Sequence, residues 1–400
     1  MTDDGEQRAY LDHAATTVLR PVARDAFLEA SAVRGNPSSV HTSGRRARAV
    51  LDESLVRIAE LLDVPRSWIL MTSGGTEADN LALRAVPRGL RAKDPSRTAV
   101  AVAATDHPAV LATAHSLAEH GPEAGSGFAV RELGVDRTGA LRPQSVADAL
   151  ADGTVGVASA ALVNNETGAV QDIAALAALA REHGTLVHTD AVQGVGHVAL
   201  PRGEDVDLMS LSGHKIGAPV GVGALVARPE IPFAPVSTGG GQQRGVRSGT
   251  LDAAQTAAFA AALEEALAER EEQSARLRAL AERLRAGLRA IDPEVRFTLP
   301  QDAAQSGHIV HAVFPGADAD SLLFLLDERG VDSAAGSACS SGVTQASPVL
   351  AAMGIPDGQA RGALRLSLGW TSTERDVEIL LAALPESLER ARAVGALMTP

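Results

Sequence analysis

The stretch "DLMSLSGHKIGAPVGVGALVA" (207–227) decides the fold, because two apolar, strand-like runs flank a turn of small residues. The first run is "DLMSLS" (207–212) and the second is "VGALVA" (222–227). Short apolar runs bounded by glycine and polar residues are typical of strands buried in a sheet. The turn contains Lys215, which stands out because Lys93 is the only other lysine among the 36 basic residues of this 400-residue chain.

Similar apolar runs lie before this stretch and alternate with helical patterns from about residue 50 onward. The candidate strands are "WILMT" (68–72), "TAVAVAA" (98–104), "GVASAALV" (156–163) and "TLVHTD" (185–190). The helical patterns between them include "TEADNLALRAV" (76–86) and "DIAALAALAREHG" (172–184). Alternation of this kind predicts an α/β fold with a mainly parallel sheet. In such sheets, ligands bind beyond the carboxyl ends of the strands.

The C-terminal part of the chain has a different pattern. Residues 252–292 read as one long helical run of alanine, leucine, glutamate and arginine. The runs "HIVHAVF" (308–314) and "GALRLSLG" (362–369) are the candidate strands of a second, smaller α/β unit. The predicted division is a large domain over residues 17–255 and a small domain formed by residues 1–16 and 256–400.

Composition excludes several classes of protein. A net charge of −13 and a pI near 5.3 argue against direct nucleic-acid binding. No apolar run approaches the roughly 18 residues of a membrane span, so we expect no membrane partner. The single cysteine excludes an internal disulfide, and the acidic start "MTDDGEQRAY" does not resemble a signal peptide, so we expect a cytoplasmic protein. His188 and Asp190 lack a third ligand at a metal-binding spacing, so we expect no metal.

Two glycine-containing turns suggest sites for a ligand. Lys215 lies between a buried strand and a glycine-rich turn, where it is either an exposed lysine or a Schiff-base former. A guanidinium cannot form a Schiff base, whereas a primary amine can. In "MTSGGTEADNLAL" (71–83), a strand ends at a turn containing Gly75, and a helix starts at Thr76. The free N–H groups of such a helix start bind phosphate, although a threonine there also serves as a plain cap.

Other chemically capable residues follow other candidate strands. Asp190, at the end of "TLVHTD", either holds a pyridinium nitrogen or caps the next helix. His107, after "TAVAVAA", either faces a ring and moves protons or fills a turn. Cys339 lies among glycine, serine and alanine in "DSAAGSACSSGV" (332–343), a composition typical of an exposed loop with a nucleophilic thiol. Arg365, in "LRLSLG", suits a substrate carboxylate.

Longer motifs follow one another along nearly the whole chain. They are "YLDHAATT" (10–17), "GNPSSVHTSGRRAR" (35–48), "VNNETGAVQDI" (163–173), "SGHK" (212–215), "GGGQQRGVRSGTLD" (239–252) and "RLSLG" (365–369). In this order they resemble the cysteine desulfurases, in the class V aminotransferase group of fold-type I pyridoxal-phosphate enzymes. The resemblance implies a large domain with a mainly parallel mixed sheet and a small α/β domain that carries the catalytic cysteine loop. The "GSACSSG" loop resembles that of the longer-loop, housekeeping branch.

The resemblance implies how a cofactor would bind. Lys215 would hold pyridoxal 5'-phosphate covalently as a Schiff base, Asp190 would pair with its pyridinium nitrogen, and His107 would stack on its ring. Gln193 would bond the phenolic oxygen of the ring. The other implied cofactor-binding residues, which surround the phosphate, are Gly75, Thr76, Ser212, His214 and, from the neighbouring subunit, Thr250. Because each subunit would complete the other's site, the resemblance implies a homodimer.

The resemblance also implies the substrate and the reaction. Asn165 and Arg365 would hold L-cysteine, Arg365 by its carboxylate. Lys215 would take the proton from Cα, and the thiolate of Cys339 would attack the substrate sulfur, with His107 as the nearby base. The products would be L-alanine and a persulfide on Cys339. A sulfur-acceptor protein would then take the sulfur for iron–sulfur cluster assembly or for tRNA or DNA thiolation.

The chain departs from the family pattern in two places, of which only the second, the short tail, bears on the partner. Gly213 follows Ser212 where housekeeping members often have a second serine, and only about thirty residues follow "SLGW", where members serving an iron–sulfur scaffold usually carry a longer tail. A thiolation acceptor is therefore an alternative to a scaffold. The alternative activities are a selenocysteine lyase or another class V enzyme, such as an aminotransferase. A sulfur-pathway assembly protein without catalysis is a further alternative, against which the presence of Lys215 and Cys339 argues.

Overall fold

The structure is a computed structural model, and it describes residues 8–119, 127–203, 205–335 and 347–398. Its strands are Ala9–Tyr10 (β1), Ile69–Thr72 (β2), Ala99–Ala103 (β3), Ala129–Leu133 (β4), Val155–Ser159 (β5), Leu186–Asp190 (β6), Leu208–Ser212 (β7), Gly223–Ala227 (β8), Arg296–Phe297 (β9), Ile309–Val313 (β10), Val331–Asp332 (β11) and Ala363–Ser367 (β12).

The α-helices are Pro21–Ser31 (α1), Thr42–Leu61 (α2), Gly75–Asn80 (α3), Val86–Lys93 (α4), Pro108–Glu119 (α5), Pro143–Leu150 (α6), Ile173–Glu182 (α7), Ala253–Ala268 (α8), Arg270–Ile291 (α9), Ala319–Asp327 (α10), Pro348–Ala352 (α11), Asp357–Ala360 (α12) and Glu374–Met398 (α13). A π-helical segment, Leu81–Ala85, joins α3 to α4. Several helices begin at aspartate caps; Asp172, for example, accepts a hydrogen bond from the N–H of Ala175 at 2.9 Å and starts α7.

A seven-stranded sheet forms the larger part of the fold, in the order β2-β8-β7-β6-β5-β3-β4. β8 is antiparallel to β2 and β7, whereas β7, β6, β5, β3 and β4 pair in parallel. The predicted mainly parallel mixed sheet is therefore confirmed. In β3, Ala99 and Ala101 face one apolar cluster, while Val100 and Val102 face another. Burial on both faces explains why the parallel strands are apolar throughout rather than alternating.

Helices cover both faces of this sheet. One apolar cluster contains Ala23 of α1, Ile58 of α2 and Phe259 of α8, and the cluster on the other face contains Ala78 of α3 and Val110 of α5. β4 was not predicted from the sequence; it lies at the edge of the sheet and carries exposed and half-buried residues. Its "AVREL" sequence is less apolar than the central strands because an edge strand has only one neighbour and keeps contact with solvent.

A smaller unit contains the antiparallel strands β9, β10 and β12 and the parallel pair β1–β11. Its apolar cluster is formed mainly by α9, α10, α13, β10 and β12. The prediction of one helix over residues 252–292 was wrong in one respect, because α8 and α9 meet at Glu269 as two helices. The break separates α8, packed on the large sheet, from α9, packed in the smaller cluster. The exact domain limits stay a prediction.

The carboxyl ends of the parallel strands meet at one edge of the large sheet. β3 ends at Ala103, β5 at Ser159, β6 at Asp190 and β7 at Ser212. The end of β2, Thr72, lies at the same edge, because Thr72 and Ser212 both pair with Gly223 of β8. This edge is where open α/β sheets bind ligands, and the predicted cofactor residues of this subunit follow these strand ends or lie on them. No helix among the residues that the structure describes is long and apolar enough to cross a membrane.

Candidate active site

Lys215 ends a short 3₁₀ turn, Gly213–Lys215, directly after β7. Its amine donates hydrogen bonds to the backbone oxygen of Ala14 and, at 2.8 Å, to that of Ala15. Gln193 also donates to the oxygen of Ala14, at 2.7 Å. The N-terminal segment therefore lies directly against two residues that the sequence predicts to bind the cofactor.

The surroundings of Lys215 favour its neutral form. Burial lowers the pKa of the amine to about 8, and the positive charge of Arg365 contributes to the shift. The carboxylates of Asp190 and Asp12 oppose it. Because the neutral amine is the nucleophile and the base, this pKa brings Lys215 closer to reactivity at neutral pH than a solvated lysine.

Asp190 ends β6 and is buried. Its Oδ1 atom accepts a hydrogen bond from the N–H of Val192 at 2.8 Å. Within the described chain, Oδ2 has no hydrogen-bond partner, so it is available to a ligand. Burial raises the pKa of this carboxyl group, while the charges of His107 and Lys215 lower it. A buried carboxylate with a free oxygen suits a positively charged N–H donor.

His107 follows β3 and precedes α5. Its Nδ1 atom accepts a hydrogen bond from the N–H of Ala109 at 3.1 Å, an assignment that leaves the ring hydrogen on Nε2. Burial lowers the pKa of the imidazole, which is therefore neutral at neutral pH. The charges of Asp190 and Lys215 also act on this ring. His107 therefore interacts electrostatically with two other predicted cofactor residues, Asp190 and Lys215. Its ring also caps the start of α5.

A glycine turn and a serine hydroxyl form a cradle beside Lys215. Gly74 has a φ of 149°, which favours glycine, and a Cβ built there would lie 3.8 Å from Oγ of Ser212. A Cβ built on Gly75 would approach Cγ2 of Val192 to 2.8 Å. The backbone therefore passes close to Ser212 just where a helical run starts, and its free N–H groups suit an anion. Thr76, in the first turn, is exposed.

His214 and Thr250 have different positions relative to this cradle. Nδ1 of His214 lies 3.1 Å from Oγ1 of Thr16. Burial and the neighbouring charge of Lys215 lower the pKa of His214 to about 4, so the imidazole is neutral at neutral pH. Thr250 is exposed and has no hydrogen bond to the other predicted site residues within the described chain. Its assignment to a second subunit stays a prediction.

Arg365 lies in the middle of β12, with its side chain almost entirely buried. Its Nη1 donates to the backbone oxygen of Asn165 at 3.0 Å, and its Nη2 donates to Oδ1 of Asp12 at 2.9 Å. Nε has no partner among the described residues. The guanidinium is therefore anchored at two points and keeps donors for a further carboxylate.

The loop after β5 brings Asn165 to Arg365. Its shape is set by Asn164, whose Oδ1 accepts hydrogen bonds from the N–H groups of Glu166 and Thr167 at 3.0 and 2.8 Å. The side-chain oxygen of Asn164 is thereby used within the loop, while its Nδ2 donates to the backbone oxygen of Thr105 at 2.9 Å. The two adjacent asparagines of the motif thus have different roles, because Asn164 shapes the loop and Asn165 contacts the predicted substrate arginine.

Cys339 lies outside the described residues, but the chain on both sides of it is described. Ala334 exchanges backbone hydrogen bonds with Arg365, at 2.6 and 3.2 Å. Oγ of Ser347 donates to Oε2 of Glu166 at 2.5 Å. Both flanks of the segment that carries Cys339 are therefore attached to residues of the predicted substrate site or to their immediate neighbours.

A buried polar network beneath the site was not predicted from the sequence. Oδ1 of Asp106 accepts the N–H of Ala161 at 2.7 Å, and Oδ2 accepts the hydroxyl of Ser159 at 3.3 Å. That hydroxyl lies 2.9 Å from Nδ1 of His188, whose Nε2 lies 2.9 Å from Oγ of Ser210. Three successive polar residues, "HTD", in an otherwise apolar strand were the available signal. No cluster of three or more metal-ligating side chains is present in the described ranges.

The chain is similar to known proteins over nearly its whole length. The family model described as "Aminotransferase class-V" matches residues 9–380. The chain belongs to the class-V aminotransferase family. An IscS-like cysteine desulfurase of Mycobacterium tuberculosis is 41% identical over 386 residues, which cover 96% of this chain and 97% of that protein. A cysteine desulfurase of Cereibacter sphaeroides is 38% identical, over 97% of this chain and 98% of its own length.

Solved structures also match the fold of this chain. A NifS-like protein superposes with a TM-score of 0.85 at 28% identity, covering 96% of this chain and all of its own. The predicted fold-type I architecture and the predicted relation to cysteine desulfurases are therefore confirmed. Membership of this class-V family implies a pyridoxal phosphate cofactor.

Proposed function

We propose that this chain is a pyridoxal-phosphate-dependent cysteine desulfurase that leaves the sulfur of L-cysteine as a persulfide on Cys339. One observation carries the proposal: the half-buried amine of Lys215 shares an electrostatic environment with Asp190 and Arg365, and Arg365 is paired with a flank of the Cys339 segment. An aminotransferase requires the lysine and the carboxylate, but it does not require a cysteine that accepts sulfur.

The residues at the carboxyl edge of the sheet fit pyridoxal phosphate. The Gly75 helix start and the Ser212 hydroxyl suit its phosphate, the free oxygen of Asp190 suits its pyridinium nitrogen, and the amine of Lys215 suits its aldehyde. When bound, the cofactor supplies an electron sink that stabilises negative charge at the substrate Cα. The remaining proposed cofactor contacts are Thr76, His107, Gln193, His214 and, from a second subunit of a homodimer, Thr250.

The substrate would be held by its carboxylate. Arg365 is anchored by two hydrogen bonds and keeps unpaired donors, which suits a bidentate carboxylate. Asn165 lies against the same guanidinium and is the second proposed substrate contact.

Two groups would manage the protons. Lys215, with a pKa lowered to about 8 by burial, has a larger neutral fraction near neutral pH than a solvated lysine, and it is the proposed base for the Cα proton. His107 stays neutral because burial lowers its pKa, and it is the proposed acid–base partner of the Cys339 thiol. Both groups lie close enough to Asp190 for its charge to act on them.

The sulfur transfer balances without an external oxidant. The thiolate of Cys339 forms a bond to the sulfur of L-cysteine, and the bond between that sulfur and Cβ breaks. The electron pair of the broken bond stays with Cβ, which takes up a proton and completes L-alanine. Cys339 thereby becomes a persulfide, from which we propose that a sulfur-acceptor protein takes the sulfur. An iron–sulfur scaffold and a tRNA or DNA thiolation enzyme are the two proposed classes of acceptor.

Mass spectrometry of the protein after incubation with L-cysteine tests this function. We expect the peptide containing Cys339 to gain the mass of one sulfur atom, and L-alanine to form in parallel. Cys339→Ala should retain the cofactor absorbance but form neither persulfide nor sulfide. Undiminished desulfuration by Cys339→Ala would disprove the persulfide route. Turnover of L-selenocysteine with no turnover of L-cysteine would instead identify a selenocysteine lyase.

A further inference from the structure

The N-terminal segment around Asp12 is fixed between two strands of the smaller unit. Leu11 donates its N–H to the oxygen of Asp332 in β11 at 2.9 Å, and its own oxygen accepts the N–H of Ser367 in β12 at 2.7 Å. The N–H of Ala14 is bound by the hydroxyl of Ser367 at 2.9 Å. The backbone on both sides of Asp12 is therefore held by hydrogen bonds, and the position of its side chain is set by the fold.

The side chain of Asp12 is directed at Arg365. Its Oδ1 accepts from Nη2 at 2.9 Å, while the oxygen of Asn165 accepts from Nη1 at 3.0 Å. The side chain of Arg365 is 8% exposed and that of Asp12 is 22% exposed. A single bond to Asn165 would let the planar guanidinium turn about its long stem, whereas two bonds to different nitrogens fix its plane.

We propose that Asp12 is a positioning residue, which fixes the guanidinium of Arg365 for the substrate carboxylate and balances its positive charge beside Lys215. The inference rests on the proposed function of Arg365. An ordered arginine loses less conformational entropy when the carboxylate binds, so pre-ordering strengthens substrate binding without any contact between Asp12 and the substrate.

The charge of Asp12 also acts on Lys215. Arg365 lowers the pKa of the amine, and Asp12 and Asp190 raise it. Five ionisable groups interact electrostatically with Lys215. They are Asp12 of the N-terminal segment, Arg365 of β12, Asp190 at the end of β6, His107 after β3 and His214 in the same turn as Lys215. Removing the negative charge at position 12 leaves the charge of Arg365 uncompensated and favours the neutral amine further.

Ligand titration of the cofactor-loaded enzyme tests the positioning role. L-alanine carries the carboxylate and ethylamine lacks it, and both are followed by the change in cofactor absorbance. We expect Asp12→Ala to weaken L-alanine binding by about tenfold, the size of effect that loss of one charge-assisted hydrogen bond gives. Ethylamine binding should stay unchanged. Asp12→Asn keeps an oxygen acceptor for Arg365 and should stay within about threefold of the wild type.

Two reference variants make the result decisive. Asp327→Asn removes an exposed carboxylate that pairs with Arg8 nearby and serves as the matched control. Arg365→Ala tests whether Arg365 binds the substrate carboxylate. If this variant binds L-alanine as tightly as the wild type, Arg365 does not have that proposed role. If Arg365→Ala weakens binding and Asp12→Ala does not, the positioning role is wrong. Tighter L-alanine binding by Asp12→Ala would also overturn it, because Asp12 would then be a competitor of the substrate.

The charge-balancing role has a readout that does not depend on turnover. In the full-length protein freed of cofactor, the rate of Lys215 acylation is measured against pH by peptide mass spectrometry. The only other lysine, Lys93, is exposed and gives an internal control. We expect a midpoint of about 8 for Lys215 in the wild type and a lower midpoint in Asp12→Asn, with Lys93 unchanged. An unchanged Lys215 midpoint would refute the charge-balancing role.

Discussion

Ala334 and Arg365 are joined by two backbone hydrogen bonds, from the N–H of Arg365 at 2.6 Å and from the N–H of Ala334 at 3.2 Å. The residue proposed to bind the substrate by its side chain thus holds, by its backbone, the segment that leads to Cys339. Cys339 is five residues beyond Ala334, and an extended chain spans at most about 18 Å over that distance. The proposed substrate-binding arginine and the segment that leads to the proposed persulfide cysteine therefore share one anchor on β12.

This shared anchor leads to a prediction for Ala334. Ala334→Pro removes the N–H that Arg365 accepts, whereas Ala334→Gly keeps it. We expect persulfide formation on Cys339 to slow by roughly tenfold or more in the proline variant, in line with the loss of precise positioning. The glycine variant should stay close to the wild type. The measurement is single-turnover persulfide formation by mass spectrometry, and equal rates in the two variants would contradict the argument.

A second prediction concerns the carboxylate at the end of β6. Asp190→Asn keeps a backbone hydrogen bond to Val192 but removes the negative charge that a protonated ring nitrogen needs. We expect kcat for L-cysteine to fall by about 100-fold or more, because the electron sink is weakened in the transition state. Asp207→Asn is the matched control, since Asp207 also accepts a backbone N–H, that of Val187, at the other end of the strand.

The outcome for Asp190→Asn can be separated from a folding defect. Thermal unfolding and cofactor absorbance should show a folded, cofactor-bound protein in both variants. We expect the Asp207→Asn enzyme to lose stability rather than turnover. Normal turnover by Asp190→Asn would remove Asp190 from the proposed mechanism.

The location of the site at one edge of the sheet was predictable from the sequence, because the carboxyl ends of parallel strands lie at the same edge. The apolar runs that end at Asp190 and Ser212 are readable locally, and their carboxyl ends meet wherever the strands pair in parallel. Residues that follow those ends, such as His107 and Lys215, were therefore found without knowledge of the strand order. The motif resemblance then added the role of each residue.

Contacts between distant segments were not predictable in this way. Asp12 and Arg365 are 353 positions apart, and no local pattern encodes which carboxylate meets which arginine. The buried network around Asp106 was missed for the same reason, since its partners come from different strands. The junction of α8 and α9 at Glu269 was missed because every residue around it favours a helix, and only packing on two separate clusters breaks the run.

A third prediction tests the cradle at Gly74. An alanine there would adopt a φ of 149°, which costs about 1–3 kcal/mol, and its Cβ would lie beside Ser212. We expect Gly74→Ala to lower both the melting temperature and the affinity for pyridoxal phosphate. Gly153→Ala is the matched control, because Gly153 also has a positive φ but no neighbouring atoms within 4 Å of a built Cβ. Equal cofactor affinity in the two variants would argue against a phosphate cradle at Gly74.

The fourth prediction concerns pH and the buried carboxyl group of Asp106. Burial raises its pKa from 3.8 to about 7, so the folded state keeps a proton that the unfolded state has already released between these pH values. Stability therefore falls as the pH rises from about 4 to 7, by at most about 1.4 kcal/mol per pH unit. The asparagine of Asp106→Asn does not titrate, so this variant lacks that loss of stability. We therefore expect the melting temperature of Asp106→Asn minus that of the wild type to increase as the pH rises from about 4 to 7. Asp148→Asn, on the exposed face of α6, is the control and should show no such trend. A difference in melting temperature between Asp106→Asn and the wild type that does not change with pH would contradict the raised pKa of Asp106.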